Sequence, residues 1–261
     1  MSGFDPAAAA AFLHEARAAR RLIGKLPDGL APRDEAEGVA VQHALALRVG
    51  AARPVGFKIG ATAKRMQGYL GVTHPVGGFM AAADVHASGA SLAFADFHKP
   101  GVECELAVRL GADLPPGPCD RVRAGAAIGA LVCGIEVVEA RYVDVQAVGA
   151  PTMAADQMFH AAAVVGETGG ADWRGLDLVA LRGRIAIDGA EAGTGVGGDL
   201  LGHPLNSLCW IAASPLAERF GGLKAGQVVM LGSVVPPIWL SGPCTVQVAF
   251  PPLPAVTVRF T

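Results

Sequence analysis

Apolar and polar positions along the chain follow two different rhythms. Up to Gly50 the spacing is helical. Asp5-Pro6 supplies an N-cap and a first-turn proline. Phe12, Ala16, Ala19 and Ile23 then recur three or four apart, as one buried face requires. Leu26-Pro27-Asp28-Gly29 breaks this helix. A second is predicted from Pro32, with Asp34, Glu35 and Glu37 favouring its positive end. Val39, Ala40, His43, Ala44 and Leu47 form its stripe and Gly50 its stop. From Val55 onward, short β-branched runs alternate with glycine, proline and aspartate. They predict strands over 102–110, 131–138, 181–188, 227–231, 245–250 and 255–260, with helices over 121–130 and 204–220. Strands gathered toward the C-terminus without a βαβ rhythm argue against a doubly wound nucleotide fold. No fixed-period repeat interrupts the pattern. The predicted class is α+β, a helical N-terminal unit over 1–54 on a strand-rich core over 55–261.

Composition narrows the function. The 261 residues are 52% hydrophobic and 17% charged, enough to bury a core without disulfide or metal. A net charge of −2 excludes a nucleic-acid protein that works by bulk charge. The mean hydropathy of +0.41 raises the question of a membrane. The longest uncharged, mostly apolar stretch is 124–135, ended by Glu136, and a spanning helix needs about 20 residues. No membrane association is expected. Met1–Pro6 lacks the basic start of a secretory signal. Five scattered cysteines without a C-x-x-C pair fit reduced thiols and a cytoplasmic location.

The sharpest candidate chemistry lies in Val102-Glu103-Cys104-Glu105-Leu106 and Gly134-Ile135-Glu136-Val137-Val138. Residues i and i+2 of a strand share a face, so Glu103 and Glu105 would project together from an apolar segment, with Cys104 turned into the core. Paired, partly buried carboxylates repel and lose hydration, so they call for a cation. Glu136 could add a third oxygen, and three carboxylates suit magnesium, manganese or calcium. The competing reading is an edge strand of solvated glutamates. Lys58, in Gly56-Phe57-Lys58-Ile59-Gly60, either snorkels to water or aims a cation into a cleft. Gly193-Thr-Gly195-Val-Gly197-Gly198 has dinucleotide spacing, but Gly202 and Pro204 prevent a helix from opening directly after it, so a flexible loop is expected. The seven histidines form no H-E-x-x-H. Arg141 and Asp144 read as a surface or inter-strand ion pair.

Taken together, several segments resemble one family. Gly56-Phe-Lys58-Ile-Gly60-Ala-Thr62, Met66-Gln67 and Leu70-Gly71-Val72 resemble the opening of the 2-keto-4-pentenoate hydratases and 4-oxalocrotonate decarboxylases of the fumarylacetoacetate hydrolase superfamily. Glu103-Cys-Glu105-Leu-Ala107 is similar to its E-x-E-x-A segment, and Ile135-Glu136-Val-Val-Glu139-Ala-Arg141 to its second acidic segment. Asp156-Gln157, Gly202-His-Pro204-Leu and Leu231-Gly232-Ser233 follow in order.

The resemblance implies a helical part on a rolled mixed β core and a homo-oligomer. It also implies Mg2+ or Mn2+ on Glu103, Glu105 and Glu136, with Lys58 as the catalytic residue. Thr62, Val76 and Ser233 would bind a small 2-oxo acid of aromatic catabolism. The implied reaction is hydration of a 2-hydroxy-2,4-dienoate to a 4-hydroxy-2-oxo acid. Decarboxylation of a 4-oxalocrotonate-type acid is the nearest alternative, C–C hydrolysis of a diketo acid is next, and an inactive metal-bound partner subunit is an alternative of another class. Val76 stands where the hydratases usually carry Asp, while Trp210 falls in a hydratase-like helix.

Overall fold

The computed structural model describes residues 3–169 and 172–261, so Met1 and Ser2 of the segment read as lacking a leader lie outside the described residues. Helix α1 (Pro6–Ala18) starts as predicted: the Asp5 carboxylate accepts the Ala7 and Ala8 N–H groups. It stops before reaching Ile23. Arg20 turns left-handed (φ 49°), and Ile23 instead pairs its backbone with Tyr142. The buried face is therefore Ala9, Ala10, Leu13 and Ala16, with Phe12 half-buried and Ala19 exposed. Helix α2 (Glu35–Arg48) opens on Asp34 as its cap, two residues beyond Pro32. Its buried face is rotated from the predicted stripe: Val41, Gln42, Leu45 and Ala46 join Val39 inside, and Leu47 is exposed. Gln42 is the polar member of this buried face. Its amide donates to the Gly77 and Ala154 carbonyls and accepts the Phe79 N–H, so a polar side chain belongs in the core here.

Among the described residues thirteen strands follow: β1 (Gly56–Gly60), β2 (Val76–Met80), β3 (Val85–Ala87), β4 (Ala90–Leu92), β5 (Pro100–Leu110), β6 (Ile128–Glu139), β7 (His160–Val165), β8 (Arg182–Ile187), β9 (Ala190–Val196), β10 (Val228–Ser233), β11 (Ile238–Trp239), β12 (Cys244–Ala249) and β13 (Val256–Phe260). Between them lie helices α3 (Lys64–Leu70), α4 (Arg121–Ala127), α5 (Ala150–Ala155), α6 (Pro204–Ala212) and α7 (Pro215–Arg219). The helix predicted over 121–130 ends at Ala127, because Ile128 already opens β6. The single helix predicted over 204–220 is two, divided at Ser214-Pro215: Pro215 has no N–H to continue α6, and the Ser214 side chain caps α7.

One mixed sheet has the order β2-β1-β10-β5-β6-β7-β3, with β11 pairing β5; a second has the order β4-β13-β12-β8-β9. β5 and β6 carry the architecture. Cys104, Leu106 and Val108 of β5, with Cys133, Ile135 and Val137 of β6, join one apolar core with Ile185, Val246, Val248, Val256, Val258 and Phe260 of the second sheet. The opposite face of β5 and β6 carries Ala107 and Val132, which form a small cluster with Met80, Ala163, Val228 and Met230. With both faces of these strands packed, Glu105 and Glu136 on that second face are cut off from solvent and Glu103 is left half-buried. Among the described residues no helix is long and apolar enough to cross a membrane.

The glycine-rich run 193–198 corrects the expectation of a flexible loop. It forms the end of β9, antiparallel to β8, and a following 3-10 turn. A Cβ on Gly195 would lie 2.1 Å from the Val234 carbonyl oxygen, so the glycines permit close packing rather than phosphate binding. Gly195→Ala should lower stability by about 1–3 kcal/mol, the usual cost of overpacking. A thermal melt indistinguishable from wild type would remove this explanation of the motif.

Candidate metal centre

The antiparallel register of β5 and β6 sets Glu103 opposite Glu136, and Glu105 opposite Gly134. One oxygen from each of the three carboxylates lies within 4.8 Å of the others. β5 is a central strand between β10 and β6, so the edge-strand reading does not hold. Glu105 and Glu136 are fully buried and Glu103 is half-buried. Cys104 faces the core, as alternation requires.

β1 brings in the lysine. Lys58 is 1% exposed, which rules out snorkelling. Its Nζ lies 3.0 Å from Glu136 Oε1 and donates to the Met158 carbonyl at 3.0 Å. His160 Nδ1 lies 2.9 Å from the same Oε1. Glu136 Oε2 is buried without a partner. Glu105 Oε2 accepts the Gly232 N–H at 2.8 Å. Gly232 has φ 121°, and a Cβ there would collide with Thr62 Oγ1 at 2.4 Å, so glycine is required for this donor to reach Glu105.

The electrostatics follow from this crowding. Burial, then the charge of Glu136, pushes Glu103 up to about 8. Burial and the charges of Glu136 and Glu103 hold Glu105 well above the ordinary carboxylate range. Burial opposes ionisation of Glu136 too, but Lys58 and His160 outweigh it and hold this group below its ordinary value. One carboxylate is pinned ionised, two are driven toward the neutral acid, and one buried oxygen is bare. All-oxygen donors with these properties fit a hard divalent cation.

The two raised acids set a pH dependence. Between the ordinary carboxylate range and about pH 8 the folded metal-free chain holds protons at Glu103 and Glu105 that the unfolded chain has lost. More protons on the native state means stability falls as pH rises through that window. The metal-free Tm should drop from about pH 5 to 8, at roughly 2–3 °C for each kcal/mol lost in a chain of this size. Saturating Mg2+ should flatten the trend, and a metal-free melt that improves over the window would contradict it.

The other sequence candidates are close at hand. Thr62 is buried against Gly232. Val76 pairs with Gly60 and belongs to an apolar cluster with Ala61, Leu70, Val72, Met153 and Met158. Ser233 pairs in register with Glu105; its hydroxyl accepts the Cys104 N–H at 2.9 Å and donates to the Val235 carbonyl at 2.6 Å. Arg141 does not meet Asp144, whose carboxylate instead accepts the Gln146 N–H. Arg141 is buried and binds Asp156 at 3.2 Å, Glu139 at 3.4 Å and the His160 carbonyl at 2.8 Å.

Sequence reasoning missed His160 and the clamp before it. Asp156 is shared by Arg141 and by Arg17 of α1, whose Nε donates to Oδ1 at 2.9 Å. Burial works against the Asp156 charge, and the two guanidiniums outweigh it and keep the carboxyl below its ordinary range. Directly after Asp156, Gln157, Met158 and Phe159 all adopt left-handed φ (53°, 49° and 67°). Such residues cost of order 1–3 kcal/mol each and persist only where surroundings over-determine them. A histidine opening the apolar run His160-Ala-Ala-Ala-Val-Val was the only local signal.

This arrangement, a carboxylate triad on the face of a mixed sheet turned away from the second sheet, has relatives. The chain belongs to the fumarylacetoacetate (FAA) hydrolase C-terminal family, whose model matches residues 56–259. It is 32% identical over 258 residues to the 2-keto-4-pentenoate hydratase of Burkholderia vietnamiensis, covering 98% of this chain and 97% of that one. It is 31% identical over 229 residues to the 2-hydroxyhexa-2,4-dienoate hydratase of Comamonas testosteroni, covering 86% and 85%. The solved 4-oxalocrotonate decarboxylase from Pseudomonas putida G7, complexed with magnesium and adipate, superposes with a TM-score of 0.88 at 26% identity, covering 98% and 97% of the two chains.

Proposed function

We propose that this chain is a divalent-metal-dependent hydro-lyase. It adds water to a 2-hydroxy-2,4-dienoate of the 2-oxopent-4-enoate type and yields a 4-hydroxy-2-oxo acid. The observation that carries the reading is the buried triad of Glu103, Glu105 and Glu136, with Glu136 Oε2 bare. The hydratases at 32% and 31% identity support the choice of reaction. Glu103, Glu105 and Glu136 would hold Mg2+ or Mn2+, which would supply Lewis-acid polarisation to the 2-oxo acid end of the substrate. The substrate loses its 2-hydroxyl proton and gains one at C5, giving a 3-ene-2-one; water then adds OH at C4 and H at C3. Lys58 balances the oxyanion that develops or carries the proton, from a position fixed by Glu136 and the Met158 carbonyl. Thr62, Val76 and Ser233 shape the substrate side. With all three Ser233 hydroxyl bonds spent on backbone, its part is to hold the turn beside Glu105.

A second reading, decarboxylation of a 4-oxalocrotonate-type acid, is favoured by Val76. Its apolar cluster offers no group at that position to orient water, whereas loss of CO2 disperses charge and tolerates an apolar wall. The deciding experiment incubates the purified chain and Mg2+ with 2-hydroxypenta-2,4-dienoate and with 4-oxalocrotonate, and measures products. Hydration that EDTA abolishes is expected. Decarboxylation without hydration would reverse the order, activity that survives EDTA would end the metal reading, and turnover by the chain alone would exclude an inactive partner subunit. We further place the protein in the cytoplasm, consistent with its five free cysteines, and as a homo-oligomer, consistent with exposed Val122, Val143 and Trp239. Light scattering of the purified chain tests the latter.

A further inference from the structure

We propose that His160 is a positioning residue for Glu136: it donates its Nδ1 proton to Oε1 and, together with Lys58, fills that oxygen so that Oε2 is the one presented to the cation. The inference rests on the metal reading above.

Two donors converge on a single oxygen. Lys58 Nζ lies 3.0 Å and His160 Nδ1 2.9 Å from Glu136 Oε1, while Oε2 has no partner. An oxygen that already faces an ammonium belongs to a carboxylate, which only accepts, so the ring nitrogen must be the donor. A carboxylate free to rotate could turn either oxygen, or both, toward an ion. One whose first oxygen is saturated by two fixed donors offers the second alone.

The fixity of the imidazole is itself built. Arg141 donates to the His160 carbonyl at 2.8 Å and to Asp156 at 3.2 Å, and Arg17 reaches Asp156 from α1. Between these anchors run the three left-handed residues, and the middle one, Met158, supplies the carbonyl that holds Lys58 Nζ. One clamped hook thus sets both donors to Oε1. A residue kept here for packing alone would be apolar, like the Ala161–Val165 run that follows it. Instead His160 is 2% exposed, and its Nε2 is buried without a partner. Burying an unmatched ring nitrogen is unfavourable, and what the ring provides in return is the Nδ1–H.

The test is Mn2+ binding to the metal-free full-length chain, read from the free-ion EPR signal, in wild type, His160→Leu and His160→Asn. Leucine fills the space and donates nothing. Asparagine places an N–H close to the position of Nδ1. Loss of a partner that orients a metal ligand costs about 10–100-fold in affinity. His160→Leu should show that loss in a chain that still folds, with a metal-free Tm lowered only as far as the lost bond to the buried Glu136 exceeds the relief of the orphaned Nε2, and His160→Asn should regain most of the affinity. Equal affinity in wild type and His160→Leu overturns the proposal, as does an equal loss in both variants, which would mark a packing role. A folding failure of the leucine variant leaves a second measurement. Long-range 15N–1H NMR of wild type, with the His160 ring assigned by its absence in His160→Asn, should show the Nδ1–H tautomer, and the Nε2–H tautomer overturns the assignment. A wild-type chain that binds no Mn2+ overturns the metal reading and this one with it, whereas Mn2+ binding without hydration touches only the proposed reaction.

Discussion

Glu105→Gln should remove nearly all metal-dependent turnover while leaving the metal-free chain at least as stable as wild type at pH 8. The two halves of this expectation have one cause. Glu105 sits fully buried on a central strand, and burial with two neighbouring carboxylates drives it toward the neutral acid. Glutamine has the same shape and is neutral, so the cost of ionising a crowded, desolvated group disappears. Its carbonyl oxygen can keep the Gly232 N–H that Glu105 Oε2 now accepts. Its amide N–H groups then face Glu103 and Glu136, where they repel a cation instead of ligating it. Lewis-acid stabilisation is worth several kcal/mol, so turnover should fall by roughly 10³-fold or more. Mn2+ affinity should fall in parallel. Wild-type turnover in Glu105→Gln would show that Glu105 is no ligand. Lost turnover accompanied by a collapsed metal-free Tm would mean that the residue holds the fold instead.

Part of this centre was legible in the sequence, and the boundary has a physical basis. The period of two within a strand puts Glu103 and Glu105 on one face and Cys104 on the other, and that needs only the strand to exist. That Glu136 lies opposite Glu103 is a matter of register between strands, which local periodicity does not contain. Lys58 reaches Glu136 only because the sheet order places β1 beside β10 and β10 beside β5, a long-range outcome of topology. The family resemblance supplied those two placements; periodicity did not. Arg17, Gln42 and His160 went unread for a different reason, and Asp156 was picked out by the family resemblance alone. Polar residues within apolar stretches read as solvent-facing by hydropathy, yet here each is matched with partners far away in the chain. Helix ends failed for local reasons: the left-handed Arg20 and the Ser214-Pro215 break both act over a residue or two, finer than the stripe that predicted the helices.

Lys58→Met should lower kcat by about 10²–10⁴-fold without lowering divalent-ion affinity, and this combination separates it from loss of a ligand. Methionine keeps the apolar stem between β1 and the Met158 segment but removes the ammonium that Glu136 Oε1 and the Met158 carbonyl now share. In the metal-free chain that leaves Glu136 with His160 as its remaining donor, and breaking a buried pair on one side typically costs about 3–5 kcal/mol. A bound divalent ion restores positive charge beside the same carboxylate, so Mg2+ should stabilise Lys58→Met more than it stabilises wild type. The ion also no longer competes with a fixed ammonium for Glu136. That gain offsets the loss of one of the two donors that turn Oε2 toward the cation, so at pH values where the three glutamates are ionised affinity should stay close to wild type. The kinetic pattern then decides what Lys58 does. A fall in kcat at unchanged KM places it in the transition state, as a proton carrier or an oxyanion partner. A rise in KM alone makes it a clamp for the substrate carboxylate. Unchanged kinetics with the expected loss of metal-free stability would leave Lys58 only the task of neutralising Glu136, and the chemistry would have to be sought on another residue.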